Sequence, residues 1–271
     1  MSDPYVHGYT PREAQRLGDQ AGTLAELLHE GTRYPAGAKI LEAGCGIGAQ
    51  TRFLVEMSPQ AQFTCLDISP ESLAQAEAQA AEQGWENLVF VRGDLYEPPF
   101  APASFDHLFV CFVLEHLTRP VEALAGLARL VKPGGSVTVI EGDHGSCYFH
   151  PDGELARRAW QCLIDCQAAL GGDSLIGRRV YPLMVQAGVK DVRVSPRAVY
   201  CDDSRPVWVE GFVRRTIIPM VEGVREQALE KGMMRPEEWD QGIDQLHRTA
   251  APEGSFLYTF FKGVGRAAGS L

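Results

Sequence analysis

Short apolar runs at 38–43, 61–67, 87–92, 105–112 and 136–141 punctuate the first half of the chain, and the stretches between them carry apolar residues at helical spacing. Continuous apolar runs of this length read as strands buried on both faces, as in parallel sheets. Helices are expected at 49–57, from Ser69-Pro70-Glu71 to about Gly84, and at 119–131, where Lys132-Pro133-Gly134-Gly135 stops the last of them. A helix over 11–30 opens on Thr10-Pro11-Arg12-Glu13, an N-cap hydroxyl followed by proline at the first helical position and glutamate at the third. Its Leu17, Leu24, Leu27 and Leu28 share a buried side.

Beyond residue 142 the pattern loosens. Helices are expected at 152–170, 178–187, 206–230 and 236–250, with strands at about 190–199 and 255–265. Strands alternating with helices predict an α/β fold, a doubly wound and mostly parallel sheet that binds ligands at the carboxyl ends of its strands. The expected organisation is an N-terminal helical lid over 1–35, an α/β core over 36–203 and 251–271, and a helical substrate cap inserted at 204–250. That insertion carries Trp208, Phe212, Met220, Met233, Met234 and Trp239. Core packing alone explains such residues, and a lid over an apolar substrate or the face of a homodimer would use the same ones.

At 271 residues, 45% hydrophobic and 22% charged, the chain is long enough to bury one large core or a domain with a subdomain. A net charge of −10 argues against a nucleic-acid partner, which would ask for clustered Lys and Arg. Arg157-Arg158, Arg178-Arg179 and Arg214-Arg215 are isolated pairs that solvated helix faces explain. No apolar run approaches the roughly 20 residues of a membrane span. Met1-Ser2-Asp3-Pro4-Tyr5 lacks the basic and apolar regions of a signal peptide, so a cytoplasmic protein is expected. Seven cysteines, at 45, 65, 111, 147, 162, 166 and 201, include no Cys-x-x-Cys pair and read as reduced, mostly buried thiols rather than metal ligands.

The chemistry concentrates after the first strand. Glu42-Ala43-Gly44-Cys45-Gly46-Ile47-Gly48 ends an apolar run in an acid and then alternates glycine with other residues, a turn where a ligand can approach backbone closely. The next strand ends in Asp67, nineteen residues past Gly48. A glycine turn after one strand and a carboxylate at the tip of the next hold a nucleoside in α/β proteins. Gly44-Cys45-Gly46-Ile47-Gly48-Ala49 also satisfies the loose dinucleotide pattern, so an NAD(P)-dependent oxidoreductase is one reading. Glu42 opposes it, because a fixed negative charge repels a pyrophosphate and suits a ligand with an ammonium group.

Four further features complete an ordered set: Phe105-Asp106 opening the fourth strand, Gly93-Asp94 after the third, Leu114-Glu115-His116-Leu117 after the fourth, and Leu130-Val131-Lys132-Pro133-Gly134-Gly135 before the fifth. Together they resemble the class I S-adenosylmethionine-dependent methyltransferases, in particular the ubiquinone/menaquinone-type small-molecule enzymes, over about residues 36–142. The resemblance implies a seven-stranded sheet with its last strand antiparallel. It implies that Gly44, Cys45, Gly46 and Gly48 pass beneath the methionine moiety of S-adenosylmethionine and that Glu42 helps hold its amino-acid end. Asp67 would accept from both ribose hydroxyls, Ile68 would pack on adenine, Asp94 and Leu95 would meet the adenine edge, and Val110 and Cys111 would flank the methionine portion. The first helix, with Tyr9, Arg16, Leu17 and Gln20, resembles one that closes over the cofactor.

Such a protein transfers a methyl group by in-line displacement to a small-molecule acceptor whose O, N, C or S atom the residues do not identify. S-adenosylhomocysteine is the product, and an inactive S-adenosylmethionine-binding protein is the remaining alternative. His144, in Glu141-Gly142-Asp143-His144-Gly145 after the fifth strand, is the candidate base or substrate anchor. Glu115 and His116 come next, then Tyr5, His7 and Tyr9 from the N-terminus and Tyr148 and His150 after the fifth strand. Tyr258 is expected in core or on the sheet surface, and Asp106 at a turn.

Overall fold

The computed structural model describes residues 11–268. In chain order, α1 (Pro11–His29), β1 (Lys39–Ala43), α2 (Thr51–Met57), β2 (Gln62–Asp67), α3 (Pro70–Gln83), β3 (Leu88–Arg92), β4 (Phe105–Cys111), α4 (Pro120–Ala128) and β5 (Val131–His150) make the alternating half. They are followed by α5 (Glu154–Ala169), α6 (Val180–Gln186), β6 (Lys190–Cys201), α7 (Pro206–Trp208), α8 (Ile218–Glu222), α9 (Arg225–Glu230), α10 (Pro236–Arg248) and β7 (Ser255–Arg266).

The seven strands form one sheet in the order β3-β2-β1-β4-β5-β7-β6. β1 to β5 pair in parallel, and β7 runs antiparallel to both β5 and β6. The chain winds outward in both directions from β1, so the strand order reverses between β1 and β4. Their carboxyl ends open a crevice there. Strand alternation divides the core in two. Ile40, Phe63, Phe109 and Ile140 face one layer. Leu41, Leu108, Val110, Val137 and Val139 face the other.

Two departures from expectation shape the site. β5 does not stop near 141 but continues to His150, because β7 pairs along it through Asp143 and, after a bulge, again from Tyr148. The expected helix over 206–230 is instead broken into α7, a π-helix at Val209–Ile217, α8 and α9. Pro219 has no N–H to offer the turn before it, and the wider pairing sits immediately upstream. Thr216 Oγ1 donates to the Gly211 carbonyl at 2.8 Å within that segment. A Cβ on Gly211 would run into Thr23 of α1, so glycine there lets α1 lie directly on the π-helix.

Lys262 of β7 fixes the other end of α1. Its buried Nζ donates to the carbonyls of Leu28 at 3.2 Å and Glu30 at 2.8 Å, and to Thr32 Oγ1. A cation on the last carbonyls of a helix complements its dipole. Burial lowers the Lys262 pKa to about 8. No helix among the described residues is long and apolar enough to cross a membrane.

Candidate functional site

β1 delivers the backbone into a turn in which Gly44, Gly46 and Gly48 all take positive φ, +75°, +52° and +82°. At Gly44 a Cβ would also stand 2.5 Å from Val113 Cγ2, whereas at Gly46 it would meet nothing within 4 Å. The turn is closely packed beneath Gly44 and open above Gly46. Gly44 N and Cys45 N donate to the Leu66 carbonyl at 2.7 and 3.1 Å, and Gly46 N donates to Asp67 Oδ2 at 2.8 Å. Asp67 therefore pins the glycine turn to the tip of β2. Its Oδ1 accepts from Ser69 N at 2.9 Å, while Ser69, not Asp67, caps α3 by accepting from Ser72 N at 3.1 Å. A carboxylate offers about four acceptor positions, so two remain for hydroxyl donors.

Glu42 lies under the same turn, 3% exposed, taking hydrogen bonds from Thr51 Oγ1 at 2.7 Å and Cys65 Sγ at 3.6 Å. Burial raises its pKa to about 7. A cation approaching a carboxyl poised there favours its ionised form. Asp94 Oδ1 accepts from Tyr96 N at 2.9 Å beyond β3, next to the buried Leu95. Ile68 is half-buried beside Asp67. Two expected side chains turn away. The Cys45 thiol is buried and directed to the Gly46 carbonyl at 3.8 Å, and Val110 packs in the second core layer, so these positions can offer a ligand only backbone. Cys111 is buried in the first layer, where burial raises its thiol pKa.

A pocket of about 530 Å³, part of it open to solvent, is lined from both halves of the chain. Arg16 and Gln20 come from α1, Phe112, Glu115 and His116 from the end of β4, Gly142 and His144 from β5, Phe212, Thr216, Ile217 and Met220 from the insertion, and Tyr258 and Phe260 from β7. Phe112 holds φ +58°, a left-handed backbone unusual for a bulky residue, and its ring rests 5.3 Å from that of Phe260.

His144 is not in a loop after β5, as the sequence suggests, but inside the extended strand and 6% exposed. The β5–β7 bulge turns it from the ladder into the pocket. Its Nδ1 lies 2.8 Å from the Tyr258 hydroxyl, and Nε2 is buried without a partner among the described residues. Its carbonyl accepts from Trp160 Nε1 at 2.8 Å and its N–H donates to the Ser174 carbonyl at 2.9 Å, which fixes the backbone. Burial lowers its pKa, so the ring is neutral near pH 7. A Cβ at Gly142 would collide with the Tyr258 hydroxyl, so glycine makes room for that contact. Asp143 is clamped by Arg178, whose Nε and Nη2 donate at 2.8 and 2.9 Å. Asp106 accepts from Lys39 N at 2.8 Å and Lys132 Nζ at 2.7 Å, a structural tie at the opposite end of the strand.

Glu141, immediately before this group, is fully buried and accepts from Val113 N at 3.1 Å and Leu114 N at 2.8 Å, holding the turn after β4. Desolvation, with Glu115 adding to it, holds its carboxyl well above the usual range. Glu115 accepts from Gln167 Nε2 at 3.3 Å and lies 3.5 Å from His116 Nε2.

The structure thus gathers the expected residues into two groups. Glu42, the glycines, Asp67, Ile68, Asp94 and Leu95 border the ends of β1 to β3. Arg16, Gln20, Glu115, His116 and His144 share the pocket. Tyr5, His7 and Tyr9 lie outside the described residues. Phe112 escaped sequence reasoning, Tyr258 was expected in core or on the sheet surface and not at a site, and Glu141 was given no role. Glu141 could have been found as a third acid ending an apolar strand, after Glu42 and Asp67.

Residues 41–139 match the family described as "Methyltransferase domain". The chain is 30% identical over 227 residues to an uncharacterized 37.1 kDa protein in transposon TN4556 of Streptomyces fradiae, covering 80% of this chain and 64% of that one. It is 33% identical over 106 residues to the demethylmenaquinone methyltransferase of Bacillus velezensis, covering 39% of this chain and 46% of that one. It spans less than two thirds of the length of either. Among solved structures, the phosphoethanolamine N-methyltransferase 2 of Haemonchus contortus, in complex with phosphomonomethylethanolamine and S-adenosylhomocysteine, shares the fold at TM-score 0.57 and 18% identity, over 90% of this chain and 52% of that one.

Proposed function

We propose that this chain, a member of the class I S-adenosylmethionine-dependent methyltransferases, transfers a methyl group from that cofactor to a small molecule held in the pocket beneath α1. One observation carries the reading. Three left-handed glycines stand where the strand order reverses, and the Asp67 carboxylate, hydrogen-bonded to Gly46 N, still has acceptor positions to give. The residues suit the cofactor: an open turn above Gly46 for its amino-acid chain, Asp67 for two ribose hydroxyls, Asp94 and Leu95 for the adenine edge, and Ile68 for its face.

The cofactor supplies a methyl group already activated on a cationic sulfonium. What remains for the protein is to place an acceptor in line and exclude water, effects worth several kcal/mol. The rings of Phe112, Phe212 and Phe260 form apolar walls, and His144, carried on a strand and braced by Trp160, anchors the acceptor. The lid and cap expected from the sequence gain support here, since α1 and the insertion both line the pocket. Phe212 and Met220 face it, while Trp239 and Met234 are spent on core.

Calorimetry with S-adenosylmethionine and S-adenosylhomocysteine, set beside thermal shifts with NAD and NADP, tests the reading. Binding of the methyl donor and its product alone is expected, and binding of neither rejects the assignment. Methyl transfer to a panel of small acceptors then separates an enzyme from an inactive binding protein.

A further inference from the structure

We propose that the pocket binds its substrate through an oxygen that accepts a hydrogen bond from His144 Nε2–H, and that Tyr258 is the positioning residue that keeps the proton on that nitrogen. The substrate class is an apolar or aromatic compound presenting a phenolate, an enolate or a comparable oxygen, rather than an amine. The proposal rests on the methyl-transfer reading above and deepens it.

The assignment follows from counting donors and acceptors. The Tyr258 phenol is buried, and its hydrogen-bond partner among the described residues is His144 Nδ1, at 2.8 Å. If Nδ1 carried the imidazole proton, the phenol oxygen would accept and its own O–H would be stranded. A phenol that donates to Nδ1 satisfies both of those groups and leaves only Nε2 to be completed, where the alternative leaves the phenol O–H and Nε2 both unmet. The neutral ring then carries its one proton on Nε2. That nitrogen lies on the pocket wall, buried and without a protein partner. A buried N–H facing a cavity is completed by an acceptor on whatever fills it.

The surroundings select further. Phe112, Phe212 and Phe260 line the cavity beside the imidazole, and the Arg16 guanidinium lies on the same lining. The Nε2–H donor favours an oxygen with a lone pair to offer over an ammonium group, which has none. Glu115, the carboxylate of the pocket, is engaged by Gln167 and His116. With Nε2 protonated, His144 orients the acceptor oxygen instead of removing its proton. That decides between the two roles the sequence left open.

The test uses the full chain loaded with S-adenosylhomocysteine and two probes of matched ring, para-nitrophenolate and para-nitrobenzylamine. The phenolate is expected to bind at least about tenfold more tightly by calorimetry, a gap equal to one good polar contact. Tyr258→Phe and His144→Phe should each remove about that factor for the phenolate and leave S-adenosylhomocysteine affinity unchanged, while His144→Gln, which keeps an N–H, retains part of it. Heteronuclear NMR of the imidazole nitrogens in the unmutated protein should show the proton on Nε2, which decides the matter even if Tyr258→Phe does not fold. A proton on Nδ1, a preference for the amine, or full phenolate affinity in Tyr258→Phe overturns the proposal. Failure of S-adenosylhomocysteine to bind overturns the cofactor reading instead, because the tautomer and the order of the two probes are still measurable on the free protein.

Discussion

The glycine turn and the His144 pocket both belong to the carboxyl ends of parallel strands in one sheet, yet they are built in opposite ways. The turn is backbone: Gly44, Gly46 and Gly48 in left-handed conformations, tied to β2 through Leu66 O and Asp67. The pocket is side chains brought from Arg16, His144, Phe212 and Tyr258, which are spread over most of the chain. A ligand common to a family can be met by a local segment repeated with little change. A ligand particular to one member is met by residues that only folding assembles.

The sharpest way to break this contrast is to disturb each region by a single methyl. Gly44→Ala imposes a left-handed backbone and a Cβ 2.5 Å from Val113 Cγ2. Strain and overpacking together are expected to lower stability by roughly 2–5 kcal/mol in denaturant titration, with cofactor binding lost as well. Gly142→Ala must displace the Tyr258 hydroxyl, and is expected to cost about 1–3 kcal/mol while cofactor affinity is kept. Equal loss of cofactor affinity in both variants would mean that turn and pocket are one cooperative unit.

Next in size is Asp67→Ala. It removes the acceptor of Gly46 N and the proposed ribose contact together, so S-adenosylmethionine affinity is expected to fall by about 1–3 kcal/mol in calorimetry. Unchanged affinity would take Asp67 out of the binding site and leave it a brace for the turn.

These two regions were unequally legible in the sequence. Glycine spacing, acids that end apolar runs and the alternation of strands and helices are local signals, and the parallel sheet and the residues around the turn follow from them. Glu42 was read as a partner for an ammonium group, and the structure adds that it is buried, bonded to Thr51 and Cys65. No local pattern reports that depth. The pocket was half visible. His144 stood out as a histidine at a strand end, but Tyr258 is 114 positions away and meets it only through β5–β7 pairing. The π-helix was invisible because i→i+5 pairing has no residue period distinct enough to separate it from an ordinary helix.

Burial of Glu42 supplies the third prediction. Its folded pKa is about 7 against an ordinary 4.5, so in the unliganded chain this group favours folding most below pH 4.5, and that contribution is lost as pH rises to 7. An ammonium group bound beside it favours the carboxylate. Cofactor affinity is therefore expected to rise about tenfold as pH is raised from one unit below that pKa to well above it. Glu42→Gln should flatten the profile. A flat profile in the unmutated protein would place the ammonium end of the cofactor elsewhere.

The smallest effect expected separates capping from binding at the tip of β2. Ser69 Oγ caps α3, and Ser69 N donates to Asp67 Oδ1. Ser69→Ala deletes the first contact and preserves the second, because the backbone N–H stays. Loss of an N-cap hydroxyl is worth about 1 kcal/mol, so a modest fall in the thermal midpoint is expected with cofactor affinity unaltered. If affinity instead drops as far as in Asp67→Ala, the carboxylate acts only by holding the start of α3, and the ribose contact must be given up. If stability falls alone, capping and ligand binding are divided between two residues that stand two positions apart, and the glycine turn keeps Asp67 as its ligand-binding partner.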